Sequence, residues 1–281
     1  MLHLTTKKLT SIYIIWYREM LLFSRNQLKV FTSFFIPTAL VVFLGSGFVT
    51  FFPTASSIEN FSNFFFSGAL VLSIVLNVFD STISLVWDKE FGFMREILVA
   101  PVSKAEIVLG KILGATTRGL IQGILFLALA PILNIYFSFS QIALLLLLIF
   151  LTSVGVAGMG IIVASYIKKI ESFSIINQIF ISPLVFLSGA FFTLEKTPAW
   201  MQTISYFNPL FYSVNGIRLL VFNTNFIPQK MSNMLFYNFN FAVIFLIFFA
   251  SISLLVSTMI FSKVKLTEVI RIILKETEDM I

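Results

Sequence analysis

The sequence predicts an all-α integral membrane protein, built as a single transmembrane domain over residues 1–281. Two observations carry this prediction. Hydrophobic residues make up 58% of the chain and charged residues only 11%, whereas soluble domains average about 25% charged residues. Six apolar stretches also reach the roughly 20 residues that a helix needs to cross about 30 Å of hydrocarbon. These predicted spans cover residues 30–52, 61–85, 113–136, 142–166, 173–193 and 239–261.

The positions of the basic residues predict that both termini face the cytoplasm. Sixteen of the nineteen Lys and Arg residues fall on one side of the predicted spans. The three on the other side are Lys196, Arg218 and Lys230. Because basic residues near the ends of spans favour the cytoplasmic side, we expect cytoplasmic segments at 1–29 and 263–281. The six-span bundle then occupies residues 30–262.

The segment before the first span has the pattern of an amphipathic helix. Its apolar residues recur at helical spacing, and Arg18 and Arg25 lie elsewhere on the helical wheel. The apolar set is Ile12, Ile15, Trp16, Met20 and Phe23. This pattern is typical of a helix that lies in the cytoplasmic membrane interface. The alternative is that these residues are the extended start of the first span.

Polar side chains recur on one face of the second predicted span. They are Ser73, Asn77, Asp80 and Ser84, at steps of four, three and four residues. The third span begins with Arg118 and Gln122 on one face. Because a charge at mid-bilayer costs on the order of 2.5 to 3.5 kcal/mol, we expect Asp80 and Arg118 to pair and hold spans two and three together. The alternative is that the Arg118 side chain snorkels to the headgroups.

Glycines at close spacing predict helix surfaces that pack within the bundle rather than against lipid, because small residues let helix backbones approach. They form two pairs and one run: Gly110 with Gly114, Gly119 with Gly123, and Gly155, Gly158 and Gly160.

The connection between spans two and three, residues 87–106, is the most charged stretch of the chain and is too long for a simple turn. Pro101 should end a helix that runs up to Ala100. Ser103 and Glu106 fit a capping box that begins the next helix. The sequence therefore predicts a helix, a break and a second helix on the cytoplasmic face. Two interpretations remain: a solvated amphipathic connector, or a partner-binding surface formed by the apolar residues Phe91, Phe93 and Met94.

The outer segment, residues 195–238, is apolar but interrupted by three prolines, so short helices fit it better than a span. Asn208 followed by Pro209 is typical of a helix N-terminus. A span over residues 204–222 is rejected because it would bury Arg218 and place the basic C-terminal tail outside. We expect a helical hairpin that dips into the outer leaflet. Its residues expected at headgroup depth are Trp200, Tyr206 and Tyr212.

Several classes of function lack the residues they require. The chain has no cysteine and one histidine, His3, so no thiolate or histidine metal site is expected. No pair of intramembrane carboxylates suits acid and base chemistry, so we predict no catalytic residue. Gly110 and Lys111 lack the other residues of a phosphate-binding loop. No stretch is similar to a nucleic-acid-binding module, and we expect no cofactor to be bound by this chain.

Three motifs resemble those of type 2 ATP-binding-cassette exporter permeases. They are KEFGFMREIL at 89–98, with Pro101 and Lys111; FLSGAFF at 186–192; and NPLFY at 208–212, with Arg218. The order and spacing of the three motifs are those of the family, and the resemblance covers nearly the whole chain. The sequence departs from the family at Thr193 and Thr197, where Pro and Leu are frequent.

The resemblance implies a permease subunit that forms half of a transmembrane dimer, with a second copy of itself or a homologous permease. A separate ATPase subunit, which binds ATP and Mg, is expected to dock beneath a coupling helix. The residues expected to couple to it are Lys89, Glu90, Phe91, Phe93, Met94, Arg95, Glu96 and Pro101. The residues expected to shape the outer hairpin are Asn208, Pro209, Tyr212 and Arg218.

The expected substrate is an amphipathic drug-like, lipid or glycan molecule, exported across the inner cell membrane, whose lipid the chain contacts. The alternative is an ion- or proton-coupled secondary transporter, but only Asp80 and Arg118 qualify as intramembrane ionisable groups for it.

Overall fold

The computed structural model describes residues 2–26, 55–100, 102–192, 197–222 and 238–278, together with Leu194 and a few single positions between 28 and 43. All regular structure in these residues is helical, as predicted. The α-helices are α1 Leu2–Arg25, α2 Ala55–Ser81, α3 Ile83–Glu90, α4 Phe93–Val99, α5 Lys104–Leu127, α6 Phe139–Tyr166, α7 Ile170–Phe186, α8 Ala199–Tyr206, α9 Pro209–Val221 and α10 Phe239–Glu278.

Four helical stretches in the described part of the chain are long and apolar enough to cross a membrane. They are Asn63–Glu90, Lys104–Leu133, Phe139–Tyr166 and Phe239–Lys263, and they correspond to the predicted spans two, three, four and six. The predicted fifth span corresponds to α7, which is apolar but has 17 residues, at the lower limit for spanning. The predicted first span, 30–52, lies almost wholly outside the described residues. The six-span topology therefore stays a prediction.

Helix α6 lies at the centre of the bundle, where it packs against α2, α5, α9 and α10. Its three glycines allow these close contacts. Gly155 meets the ring of Phe249 and Gly158 meets the backbone of Ser253, both on α10. The Ser253 hydroxyl also donates to the Gly155 carbonyl at 2.7 Å. The prediction that this glycine run packs inside the bundle is confirmed.

Helix α5 uses its glycine pairs on two different surfaces. Gly123 faces Ile149 of α6, where an added Cβ would lie 2.8 Å from the Ile149 side chain. Gly110 and Gly114 instead face α1, and an added Cβ at either would lie 2.7 Å from the Cβ atom of Ile15 or Glu19. The predicted burial is confirmed. Gly110 and Gly114 therefore form the surface of α5 on which the N-terminal helix packs.

Helix α1 ends at Arg25, before the predicted first span. The apolar face that the sequence assigned to the membrane interface, which includes Ile15 and Trp16, packs against the bundle instead. One face packs on α5, where the Trp16 indole donates to the Thr117 hydroxyl at 3.0 Å. The opposite face exposes large apolar side chains, including Tyr13 and Tyr17, whose rings stack. This exposed face is suited to the membrane interface, while the packed face ties the helix to the bundle.

The outer segment forms the predicted pair of short helices, α8 and α9. Asn208 caps α9 through its side-chain oxygen, which accepts from the Leu210 amide at 3.0 Å, and Pro209 occupies the first turn. With 13 residues, α9 is too short to span a membrane, which confirms the rejection of a span there. Trp200 on α8 is exposed, as expected for a residue at headgroup depth.

Tyr212, which was predicted at headgroup depth, does not face the lipid headgroups. Its ring is buried against α10, stacked on Phe245 with 4.0 Å between the ring centroids. Its hydroxyl donates to the carbonyl of Tyr206, which is itself only partly exposed, at 2.8 Å. Burial raises the pKa of Tyr212 to about 12, so the phenol stays protonated and keeps this bond. The packing of α9 against α10 decides the position, which a turn-and-cap pattern in the sequence does not specify.

Candidate functional site

The connection between α2 and α5 folds as the predicted helix, break and helix. Helix α3 ends in a sharp turn at Gly92, whose φ of 80° is a left-handed conformation that favours glycine. Helix α4 follows. The predicted capping box of α5 is confirmed, since the Ser103 hydroxyl accepts from the Glu106 amide and the Glu106 carboxylate accepts from the Ser103 amide, both at 3.3 Å. Pro101 lies outside the described residues, after Ala100 in extended conformation.

Three large aromatic side chains stand exposed at this turn. Trp87, Phe91 and Phe93 are 50%, 59% and 52% exposed, and the rings of Trp87 and Phe91 lie 5.5 Å apart. We call these three residues the aromatic surface. Exposed aromatic clusters of this kind are typical of protein-binding sites, where they bury a large area on association. Two of the three were predicted from the sequence, and Trp87 is added by the structure.

The remaining predicted coupling residues differ in their surroundings. Met94 is buried in the hydrophobic core, so it supports the aromatic surface from beneath and does not belong to it. Glu96 is exposed, and the side chain of Arg95 lies outside the described residues. The sequence pattern placed all of them on one connector but did not show which face of α4 turns inward.

Lys89 and Glu90 bind another part of the same chain. The Lys89 ammonium donates to the carbonyls of Ala164 and Ser165, at 3.0 and 2.5 Å, where α6 ends. The Glu90 carboxylate accepts from the Ile170 amide, at 2.8 Å, where α7 begins. A cation at a helix C-terminus and an anion at an N-terminus both suit the helix dipole and satisfy end groups of the helices. The end of α3 is thereby tied to the connection between α6 and α7.

A network of charged side chains lies behind the aromatic surface. It consists of Arg18, Glu19, Asp88, Lys111 and Arg118, and we call it the charge network. The Lys111 ammonium lies 2.7 Å from the Asp88 carboxylate and 2.9 Å from that of Glu19, and Arg118 lies 2.9 Å from the other Glu19 oxygen. Except for Arg18, these residues are only 2 to 8% exposed. The network joins α1, α3 and α5.

Arg18 closes the network at its solvent-facing side. Its guanidinium donates through both Nη atoms to the two carboxylate oxygens of Asp88, one bond being 3.1 Å long. This hydrogen bonding raises the pKa of Arg18 above its ordinary value. Two-pronged pairs of this kind are stronger and more directional than single ones. Asp88 is therefore paired with Arg18 on α1 and with Lys111 on α5.

The predicted pairing of Arg118 with Asp80 is supported by an electrostatic interaction between the two side chains. Arg118 also forms an ion pair with Glu19 of α1, which the sequence did not predict. Arg118 also donates to the Glu19 main-chain carbonyl at 2.7 Å. Because it is buried, the alternative that it snorkels to the headgroups is wrong. The sequence could not show that α1 would pack across α5 and bring Glu19 to this position.

The predicted polar stripe on the second span lies largely inside the protein. Ser73 is buried and its hydroxyl donates to the Leu70 carbonyl of its own helix at 2.8 Å. Ser84 accepts from the Lys111 ammonium at 3.0 Å. Gln122 is also buried, and Asn77 and Asp80 are half-buried. Ser84 thus extends the charge network from α3 toward α5.

Two of the predicted outer residues brace the hairpin against the bundle. Arg218 donates to the Gly189 carbonyl at 2.9 Å and stands 3.9 Å above the centroid of the Phe64 ring. Asn208, besides capping α9, donates through its amide to the Leu184 carbonyl at 2.6 Å. These contacts join α9 to α7 and α2 and give both residues a structural role.

The site is suited to binding and to the transfer of movement. Among the described residues, no group of three or more His, Asp or Glu side chains is arranged to hold a metal ion. The arrangement provides an apolar contact surface on a rigid support. Behind this surface, charged hydrogen bonds join α1, α3 and α5 to one another and join α3 to the connection between α6 and α7.

Comparison with known proteins identifies the group to which this arrangement belongs. The sequence profile described as ABC-2 type transporter matches residues 10–222, which include the aromatic surface, the charge network and the outer hairpin. The chain belongs to the ABC-2 type transporter family. The resemblance to exporter permeases seen in the motifs is confirmed at the level of this family.

Relatives of this ABC-2 permease cover much of its length. The putative transport permease ycf38 of Cyanophora paradoxa is 26% identical over 237 residues, which are 82% of this chain and 80% of the relative. The inner membrane transport permease YadH of Escherichia coli K12 is 27% identical over 170 residues, 60% of this chain and 66% of the relative. The linearmycin resistance permease protein LnrN of Bacillus subtilis is 25% identical over 158 residues, 56% of this chain and 40% of the relative. This chain is a multi-pass membrane permease.

Proposed function

We propose that this permease is the membrane-spanning subunit of an ATP-binding-cassette exporter, and that a separate ATPase subunit docks on the aromatic surface. The observation that carries the proposal is the exposure of Trp87, Phe91 and Phe93 together at the end of a spanning helix. A permease without a nucleotide site of its own needs such a contact to receive work from ATP hydrolysis. ATP and Mg then bind to the partner, and no cofactor binds to this chain.

The support behind the aromatic surface suits it to transmit movement. Helix α3 continues the spanning stretch Asn63–Glu90, and α4 leads into the spanning stretch Lys104–Leu133. Lys89 and Glu90 fix the turn to α6 and α7, and Asp88 fixes it to α1 and α5. Because a packed and hydrogen-bonded assembly moves as a unit, a displacement of Phe91 and Phe93 by the ATPase reaches several helices together.

The subunit arrangement, the topology and the substrate class are inferred from the family. The transport path forms between two permease subunits, either two copies of this chain or one copy with a homologue. Both termini lie in the cytoplasm, on the side of the aromatic surface, and the membrane is the inner cell membrane. The exported substrate is an amphipathic drug-like, lipid or glycan molecule, and a relative named as a linearmycin resistance permease favours the drug-like class.

The test is the double substitution Phe91→Ala/Phe93→Ala. The permease is co-expressed with the ABC ATPase encoded in its own gene neighbourhood, and ATPase retention is measured by affinity purification in detergent. We expect at least 10-fold weaker retention, because truncating a central interface anchor costs about 1 to 4 kcal/mol. The melting temperature of the isolated permease should stay unchanged, since both rings are exposed.

A matched control is Phe139→Ala/Phe207→Ala, which removes two exposed phenylalanines from the opposite end of the bundle. This variant should retain the ATPase at the wild-type level. Normal retention and normal ATPase stimulation in the Phe91 and Phe93 variant would overturn the docking assignment. A fall in melting temperature with normal retention would show that the two rings support the fold instead.

A further inference from the structure

An apolar groove runs along the side of the bundle between α5, α6 and α10, where it is bordered by α1. Its floor is formed by Ile112, Leu151 and Ala250, which are buried, and Leu113 and Phe150 on its rims are exposed. The groove has a volume of about 360 Å³. We call it the lateral groove, because its exposed rims open it to the side of the bundle.

The lateral groove lies at the depth of the hydrocarbon. Its walls belong to the spanning stretches Lys104–Leu133, Phe139–Tyr166 and Phe239–Lys263. Every side chain that lines it is apolar except that of Ser251. The interior of a bilayer offers hydrocarbon and no water, and an apolar cavity does not hold water. The groove is therefore suited to an apolar occupant from the membrane.

The width of the lateral groove excludes a helix as its occupant. The α10 wall extends from Ile247 to Leu254, which is about 10 Å at 1.5 Å per residue. A volume of about 360 Å³ over that length corresponds to a cross-section of about 35 Å². A helix with its side chains is about 10 Å across and has a cross-section of roughly 80 Å². A single hydrocarbon chain carries no side groups and fits the smaller section.

A lysine lies beyond the end of the lateral groove that is nearest the aromatic surface. Helix α1 runs alongside α5 in the same direction, since successive glycines of α5 meet successive turns of α1. Lys8 is exposed and lies one turn before Ile12, on the same face of α1. An ammonium group at headgroup depth, beside an apolar groove, complements the phosphate of a lipid whose chain enters the groove.

A second groove adjoins the lateral groove. It lies between α1 and α5, has a volume of about 340 Å³ and shares Ile12 and Leu113 with the lateral groove. Tyr13 and Trp16 line it, and such amphipathic rings favour the membrane interface. A phospholipid has two acyl chains to place, and the two adjacent grooves offer a position for each.

We propose that the lateral groove binds an acyl chain of an anionic phospholipid whose phosphate contacts Lys8. The second chain lies in the adjoining groove, and the lipid belongs to the leaflet on the side of the aromatic surface. A bilayer lipid is favoured over another protein segment because the groove is too narrow for a helix and opens sideways at hydrocarbon depth. The bound lipid fills the space between α1 and the spanning helices. This site does not depend on the ATPase.

The test is photolabelling of the full-length permease in vesicles. The probe is phosphatidylglycerol with a diazirine in its acyl chain, and the labelled residues are mapped by mass spectrometry as the probe fraction increases. Labelling of Leu113 and Leu254 should saturate, because the lateral groove holds one chain. Labelling of Phe248, an exposed residue of α10 outside the groove lining, should increase in proportion to the probe.

Two matched variants of α10 make the test specific. Ser251→Phe places a ring in the lateral groove and should abolish the saturable labelling of Leu113. Ile252→Phe enlarges the neighbouring exposed residue, which does not line the groove, and should leave that labelling unchanged. Melting temperatures in detergent report whether each variant is folded. If the ring lowers the melting temperature, Ser251→Leu provides a smaller filling and should still reduce the labelling.

The contact with the phosphate is tested separately by Lys8→Gln. This variant should raise the probe fraction at half-saturation about five-fold, which corresponds to roughly 1 kcal/mol for one basic residue near an anionic surface. A phosphatidylcholine probe with the same diazirine should respond less, because its headgroup has no net charge. Equal half-saturation of wild type and Lys8→Gln by phosphatidylglycerol would overturn the phosphate contact.

Three results would overturn the lipid site itself. Labelling of Leu113 that increases in proportion to the probe, as at Phe248, would mean ordinary contact with bulk lipid. Saturable labelling that persists in folded Ser251→Phe would place the bound chain elsewhere. Absence of labelling, together with a changed oligomeric mass in Ser251→Phe, would mean that a second copy of the permease covers the groove.

Discussion

Asp88 is the residue whose neutralisation should affect this permease most, because its carboxylate holds two cations at once. It lies 2.7 Å from the Lys111 ammonium and receives both Nη atoms of Arg18. The substitution Asp88→Asn keeps the shape of the side chain and removes its charge. The charge network then changes from three cations and two anions to three cations and one anion.

The magnitude follows from burial. Asp88 is only 2% exposed and Lys111 4%, and removing one partner of a buried ion pair costs about 3 to 5 kcal/mol because the other charge is left without compensation. The Arg18 side chain is 40% exposed, so Arg18→Met should cost about 1 kcal/mol or less. We therefore expect Asp88→Asn to destabilise the permease several times more than Arg18→Met does.

The assay is thermal unfolding of the purified permease in detergent. At about 2 to 4 °C per kcal/mol, Asp88→Asn should lower the melting temperature by roughly 10 °C. Glu96→Gln, which neutralises an exposed acid on the next helix, is the matched control and should shift it little. The double variant Asp88→Asn/Lys111→Met should lose less stability than the sum of the losses in its two single variants, because it also removes the uncompensated cation.

Two results would refute this reasoning. Strict additivity of Asp88→Asn and Lys111→Met would mean that the two side chains do not interact energetically. Equal destabilisation by Arg18→Met and Asp88→Asn would mean that burial does not set the cost.

Two further predictions concern packing and capping. Gly114→Ala should cost about 1 to 3 kcal/mol, because its Cβ would lie 2.7 Å from that of Glu19. The melting temperature should fall, unlike that of the exposed control Ile124→Leu on the same helix, and an unchanged value would argue against close packing of α1 on α5. Asn208→Ser should keep an uncharged cap on α9 but lose the amide bond to the Leu184 carbonyl, and Asn208→Ala should lose both. Melting temperatures should therefore fall in the order wild type, Ser, Ala, with the cap alone contributing about 1 kcal/mol; equal values for Ser and Ala would mean that the cap contributes nothing.

Local features of the site could be predicted because they depend on neighbouring residues. The capping box at Ser103 and Glu106, the cap at Asn208 and the break near Pro101 involve residues within a few positions of one another. Each is set by short-range hydrogen bonding or by restricted backbone dihedral angles. The docking role of Phe91 and Phe93 came instead from family resemblance, and the structure supports it through their exposure.

Contacts between distant residues could not be predicted in the same way. Lys111 and Glu19 are separated by 92 positions, and Arg118 and Glu19 by 99. The sequence indicated Asp80 as an acid near Arg118, because the two lie at similar depth in neighbouring spans, and the two do interact electrostatically. It did not indicate Glu19, because that contact depends on α1 crossing α5.

The sequence by itself determined that this is a helical membrane protein, because long apolar runs and the position of basic residues depend on the bilayer rather than on the fold. Tertiary structure alone decided that α1 packs at Gly110 and Gly114, that Met94 turns inward and that Lys89 and Glu90 bind the connection between α6 and α7. Inside a membrane, helix association depends on close packing and on satisfying polar groups rather than on hydrophobicity. Those two conditions are met by particular pairs of surfaces, which become apparent only when the helices are assembled.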